Sequence, residues 1–143
     1  PTSALFYEAR FLLGRAYKEL GRADEAVEVL RDVFKRASDP RLLNRATLEL
    51  GGIQNARGDQ EAALASFQRI VLLADVNKPE NRDLYEQALI ESLRIFADRE
   101  QWKDVLENGD VYLANFPSGA NINEARRLRG RAVTQLSVSG GDA

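Results

Sequence analysis

A set of small and apolar residues recurs in this chain at fixed spacing, which confines the fold to stacked copies of one supersecondary unit. Leu13-Gly14, Gly21, Ala26 and Leu30 are followed, 37 residues on, by Leu50-Gly51, Gly58, Ala63 and Phe67. A more divergent third set follows in Phe96, Trp102, Val105, Tyr112 and Pro117, with Val105 lying 42 residues after Ala63. A fourth begins near the C-terminus. There Glu124-Ala125-Arg126 and Gly130-Arg131-Ala132 copy Glu8-Ala9-Arg10 and Gly14-Arg15-Ala16 at a constant offset of 116.

Each unit reads as two helices. From Ser3 to Leu20 the apolar residues fall at 5, 6, 9, 12, 13, 16, 17 and 20, which is helical spacing, and Gly21 ends the run as an αL residue does. Ala26, Val27, Leu30, Val33, Phe34 and Ala37 form the stripe of a second helix. Asp39-Pro40 then supplies an N-cap and a first-turn proline for a third helix that runs to Arg57, and Asp59 caps a fourth after Gly58. Residues 76–81 read as a longer connection that absorbs the five extra residues of the third spacing. Helices over 82–99, 101–115 and 123–137 complete the chain. No segment alternates with period two, so the expected fold is all-α: a right-handed solenoid of three and a half helix pairs, seven helices in all. The units fall at 3–39, 40–78, 79–117 and 118–137 within one domain over 1–137, with 138–143 as a flexible tail. The chain opens on Pro1 rather than Met, so it is expected to be a piece of a longer protein.

Composition removes most catalytic designs. With no Cys and no His, there is no thiol nucleophile, no thiolate or imidazole metal ligand and no imidazole base. Gly51-Gly52 and Gly140-Gly141 lack the Lys-Ser or Lys-Thr partner of a phosphate loop, and no Asp-rich calcium loop is present. Carboxylate pairs such as Glu25/Glu28 and Glu80/Asp83 lie at the spacing of an ordinary solvated helix face. The expectation is a non-enzyme without cofactor or metal. Twenty Lys and Arg stand against 22 Asp and Glu, which offers no basic surplus for nucleic acid, and no apolar run spans a membrane.

Leu13-Gly14, Tyr17, Gly21, Ala26 and Leu30 resemble the tetratricopeptide repeat, as do Leu50-Gly51, Gly58, Ala63 and Phe67, where Gln54 replaces the aromatic residue. The third unit keeps Phe96, Trp102, Tyr112 and Pro117 but loses both glycines. Trp102 stands where that family packs a core aromatic residue. A second likeness lies in Phe116-Pro117, Glu124-Ala125 and Gly130, whose spacing is similar to a helix start in tetratricopeptide proteins of the bacterial cell envelope, such as the Tol–Pal coordinator and BamD. That likeness implies a bacterial periplasmic or envelope location.

The family resemblance implies a scaffold that holds a protein or peptide partner in a groove lined by the first helix of each pair. Projecting the repeat puts Phe11, Arg15, Leu48, Glu49, Ile90, Arg94, Arg127 and Arg131 on that face. Arg15, Arg94 and Arg131 share one repeat position, with Gly52 leaving a gap. Six basic and six acidic residues make the projected face mixed in charge. A chaperone-type carboxylate clamp is excluded, because its positions carry Phe11, Arg15, Glu49, Gln87 and Glu91 in place of the family's Lys, Asn and Arg set. A regulatory or oligomerisation role within a larger multidomain bacterial protein is the alternative. For it, Ala125, Leu128, Ala132 and Leu136 of the unpaired last helix would offer apolar surface to another copy.

Overall fold

A computed structural model describes residues 4–141. Seven helices succeed one another: α1 (Ala4–Glu19), α2 (Ala23–Arg36), α3 (Pro40–Ala56), α4 (Gln60–Leu73), α5 (Pro79–Asp98), α6 (Trp102–Asn115) and α7 (Ile122–Gly141). Among the described residues there is no strand. The fold is all-α and built of tandem helix pairs, as the repeat spacing predicts.

The turns show why the spacing works. Gly21 and Gly58 adopt φ of 77° and 84°, a left-handed conformation that only glycine takes without a steric cost. At each turn the chain makes the same two bonds: Arg22 N–H donates to Tyr17 C=O and Gly21 N–H to Lys18 C=O, and Asp59 and Gly58 repeat this on Gln54 and Asn55. The third turn has identical bonds, from Gln101 to Phe96 and from Glu100 to Ala97, but Glu100 holds the left-handed position at φ 56°. Lost glycines therefore did not change the turn. Asp39 and Asp59 cap α3 and α4 as expected, accepting from Arg41 N–H and Ala62 N–H at 3.1 Å each.

Two boundaries differ from expectation. The long connection is shorter, because Pro79 opens α5 and Asn81 lies within it, where Asn81 Nδ2 donates to Asp75 C=O. The last helix ends later than the expected 137, since α7 continues over 138–141 to Gly141. Residues 142 and 143 lie outside the described residues.

Packing divides the chain into two compact units, Pro1–Leu84 and Tyr85–Ala143, with the division falling inside α5. In the first, α1 packs on α2, α3 on α4, and α3 on both helices of the preceding pair. Phe11, Leu30, Val33, Leu42, Ala46, Leu50 and Ile53 form its core. Close approach within each pair depends on a missing side chain. A Cβ on Gly14 would lie 2.7 Å from Leu30 Cγ, and one on Gly51 would lie 2.7 Å from Phe67 Cε1. In the third pair the sizes change places: Leu93 stands at the position of Gly14 and Gly51, and Gly109 at that of Leu30 and Phe67. In the second unit α6 packs on α7, and Tyr112, Phe116 and Tyr85 form an aromatic group at 5.4 and 6.0 Å between ring centroids.

Candidate partner-binding face

In the first unit the projected residues meet across α1 and α3. Arg45 Nη1 donates to Glu8 Oε1 at 3.0 Å, and Lys18 Nζ holds Glu49 Oε2 at 2.7 Å. Arg15 Nε reaches Glu49 Oε1 only at 3.7 Å. Between these pairs lies Phe11, with the Arg45 guanidinium 4.4 Å and the Arg15 guanidinium 5.9 Å from its ring centroid. Phe11 is 2% exposed and belongs to the core. Its expected role as an apolar anchor for a ligand is therefore corrected: the arginines cover the ring. Leu48 is half-buried, and Glu49 is committed to Lys18 and Arg15.

The second unit gathers its projected residues around Glu124. Arg94 donates from Nε and Nη2 to the two oxygens of Glu124 at 2.8 and 2.7 Å, and from Nη1 to Glu91 at 2.6 Å. This fork-on-carboxylate arrangement is the geometry a guanidinium prefers. The hydrogen bond from Arg94 holds the Glu124 carboxyl below the usual glutamate range, against the opposing effect of burial, with a contribution from the charge of Arg127. The Arg94 guanidinium is raised in turn, chiefly by the same bond. Arg94 is thus engaged by two carboxylates of its own chain. Arg127 and Arg131 are exposed, and Arg131 lies 5.1 Å over the ring of Trp102, which is half-buried rather than core. Ile90 is fully buried, which corrects its placement on a ligand-facing surface. Ala125, Leu128 and Ala132 are buried as well, so the apolar surface expected on the unpaired last helix is absent at those positions.

A polar site in the second unit has no counterpart in the sequence reading. Tyr112 Oη donates to Glu86 Oε2 and accepts from Asn121 N–H at 3.0 Å, tying α6 to α5 and to the turn before α7. Burial, together with the bond to Glu86, pushes the Tyr112 phenol up to about 12. Sequence reading also missed an open groove of about 890 Å³ in the first unit, lined among others by Phe6, Tyr7 and Arg10 of α1 and Val27, Arg31 and Lys35 of α2. Among the described residues no cluster of three or more acidic side chains could hold a metal ion, and no helix is long and apolar enough to cross a membrane.

These features define a protein of tandem helix hairpins whose surface chemistry is one of paired guanidinium and carboxylate groups. A family model described as Tetratricopeptide repeat matches residues 7–40, which run from within α1 through α2 to the proline that opens α3. No curated protein matches the chain. Repeats of this kind generally mediate contacts between proteins.

Proposed function

We propose that this chain is a non-catalytic interaction module that binds an acidic peptide or protein segment on the faces of its first helices. The observation that carries this reading is Arg15. It is exposed, and it reaches Glu49 Oε1 only at 3.7 Å, while Lys18 holds the other oxygen of that carboxylate at 2.7 Å. A carboxylate from a partner can therefore take the Arg15 guanidinium without breaking an established hydrogen bond, while an apolar neighbour rests on half-buried Leu48. Exposed Arg127 and Arg131 offer the same chemistry in the second unit. Arg94 instead serves to fix α7 through Glu124. Spacing around Phe116 and Gly130 is the sole support for a cell-envelope type, and the interaction reading stands without it.

The test is selection from a display library of short acidic peptides, followed by titration of the selected peptides. Arg15→Ala should weaken binding by about tenfold, about 1.4 kcal/mol, while Lys35→Ala on α2 leaves it unchanged. No selected peptide, or equal losses in the two variants, refutes the assignment.

A further inference from the structure

A second depression of the first unit lies between α2 and α4. Both helices pack on α3 and neither packs on the other, so α3 floors a groove of about 550 Å³. It sits between two successive pairs, and neither end of the chain creates it. Thr47 and Leu50 of α3 are buried at its base, the half-buried Phe34 ring lines one bank, and Ala65 lies exposed on the other. Thr47 Oγ1 donates to Leu43 C=O at 2.8 Å and Ser66 Oγ to Gln54 Oε1 at 2.7 Å, so both hydroxyl protons are used within the fold.

The free side-chain donors at the groove are therefore cations: Arg31 and Lys35 on α2 and Arg69 on α4, all exposed, with Arg69 lying 5.1 Å over the Phe34 ring. No Asp or Glu lines the groove. Among the described residues none of the three cations forms an ion pair, whereas Arg10, Arg22, Arg36, Arg45 and Arg57 of the same unit all do. Asp32, within one turn of Lys35, is held instead by Arg10 at 3.0 Å and Arg36 at 2.9 Å. Three uncompensated cations above an apolar base, in a chain of net charge −2, complement a ligand with a negative head and an apolar body.

The size of the groove limits what that ligand is. Its lining covers one turn of each helix, over 31–35, 47–50 and 65–69, which is roughly 6 Å of length. A polymer segment with several side chains does not fit on one turn, while the volume falls within the roughly 300–1,000 Å³ of small-molecule sites. We infer that the α2–α4 groove binds a compact organic acid, a carboxylate carried on an aryl or short alkyl body. The body rests on Phe34 and Leu50, and the carboxylate accepts hydrogen bonds from Arg31 on one bank and Arg69 on the other, with Lys35 adding charge. This site is separate from the proposed peptide face, because Thr47 lies about 200° around α3 from both Arg45 and Glu49. Since α2 and α4 do not touch, the bound acid joins two successive pairs.

4-Phenylbutyrate, titrated into the chain and followed by amide NMR shifts, should saturate, with the largest shifts over 31–35, 47–50 and 65–69. 4-Phenylbutylamine keeps the body and reverses the charge, and acetate keeps the charge without the body; each should bind at least about tenfold more weakly. Arg31→Gln and Arg69→Gln should each weaken 4-phenylbutyrate by about fivefold or more, while Arg15→Ala on the peptide face leaves it unchanged. Ala65→Glu, a change at an exposed position, should turn the preference towards the amine, with the melting curve showing that the fold is kept. Four results overturn the inference: no saturable shift with 4-phenylbutyrate, equal affinity for the amine or for acetate, shifts centred on the exposed leucines of α1, or folded Ala65→Glu protein that binds as the parent does.

Discussion

Gly51 and Gly52 are adjacent in one helix, yet alanine should act on them with opposite sign. A Cβ on Gly51 would sit 2.7 Å from Phe67 Cε1 and 3.0 Å from Cδ1 and Cζ, where carbon atoms ordinarily keep about 3.5–4.0 Å. Phe67 is 1% exposed, so its ring cannot retreat by the ångström required without moving α4. Overpacking of this kind costs about 1–3 kcal/mol, partly offset by the roughly 0.5–1 kcal/mol that alanine gains over glycine within a helix. Gly51→Ala should therefore lose about 1–2 kcal/mol. On Gly52 the nearest atom is Lys18 Nζ at 3.1 Å, the free end of a flexible and partly exposed side chain. It can swing aside at the expense of a surface ion pair worth about 0–1 kcal/mol, so Gly52→Ala should be neutral or stabilising. Helix propensity cancels between the two variants, and their difference isolates the overpacking at Phe67. Urea denaturation followed by circular dichroism reads it: with a slope of about 2 kcal/mol/M the two midpoints should lie about 0.5–1.5 M apart. Coincident midpoints would show that Phe67 is not wedged against α3.

Glu100→Gly should stabilise the second unit by up to about 1 kcal/mol, because glycine takes the left-handed φ without strain, and differential melting of variant and parent checks it. Glu124 is held below its ordinary range in the fold, so its contribution is present above the unfolded glutamate value of about 4.3 and is lost as pH falls through the depressed folded value. Its carboxyl NMR titration should move back up in Arg94→Met, and a midpoint that stays put would exclude the fork as the cause. For the phenol the sign is reversed: Tyr112 is raised to about 12, so its stabilisation is complete below the unfolded value of about 10 and disappears as pH climbs to 12. Tyr112→Phe strands Glu86 and the Asn121 N–H, and it should cost about 1–3 kcal/mol in chemical denaturation at neutral pH.

The helix pairs were legible because their signals are local. Glycine at a left-handed turn, aspartate at a helix start and apolar residues at helical spacing each act within a few residues, and all recur 37 residues apart. Even the divergent third pair could be aligned, since Val105 shares the fully buried position of Ala26 and Ala63. The candidate face was only half legible. Repeat projection brought Glu8, Arg15, Lys18, Arg45 and Glu49 together correctly, as it did Glu91, Arg94 and Glu124. It could not foresee that Arg45, from the next pair, lies across Phe11 and closes over it, because that contact joins residues 34 positions apart. For the same reason Arg94 looked available in sequence although Glu124, 30 positions on, occupies it. The burial of Ala125 and Ala132 was equally out of reach: helical periodicity gives a stripe but not which neighbour covers it.

The exchange of sizes between Gly14–Leu30, Gly51–Phe67 and Leu93–Gly109 bears on how such a chain avoids assembling wrongly. Neighbouring near-identical hairpins invite helices to trade places, within a chain or between chains, and repeat proteins are prone to such swaps. Here volume separates the third pair from the first two. By repeat position, α2 docked on α5 would drive Leu30 into Leu93, while α6 on α3 would set Gly109 opposite Gly51 and leave a void. The exchange does not tell the first two pairs apart, since Gly14 and Gly51 each face a large side chain, so the remaining freedom to swap lies between α2 and α4.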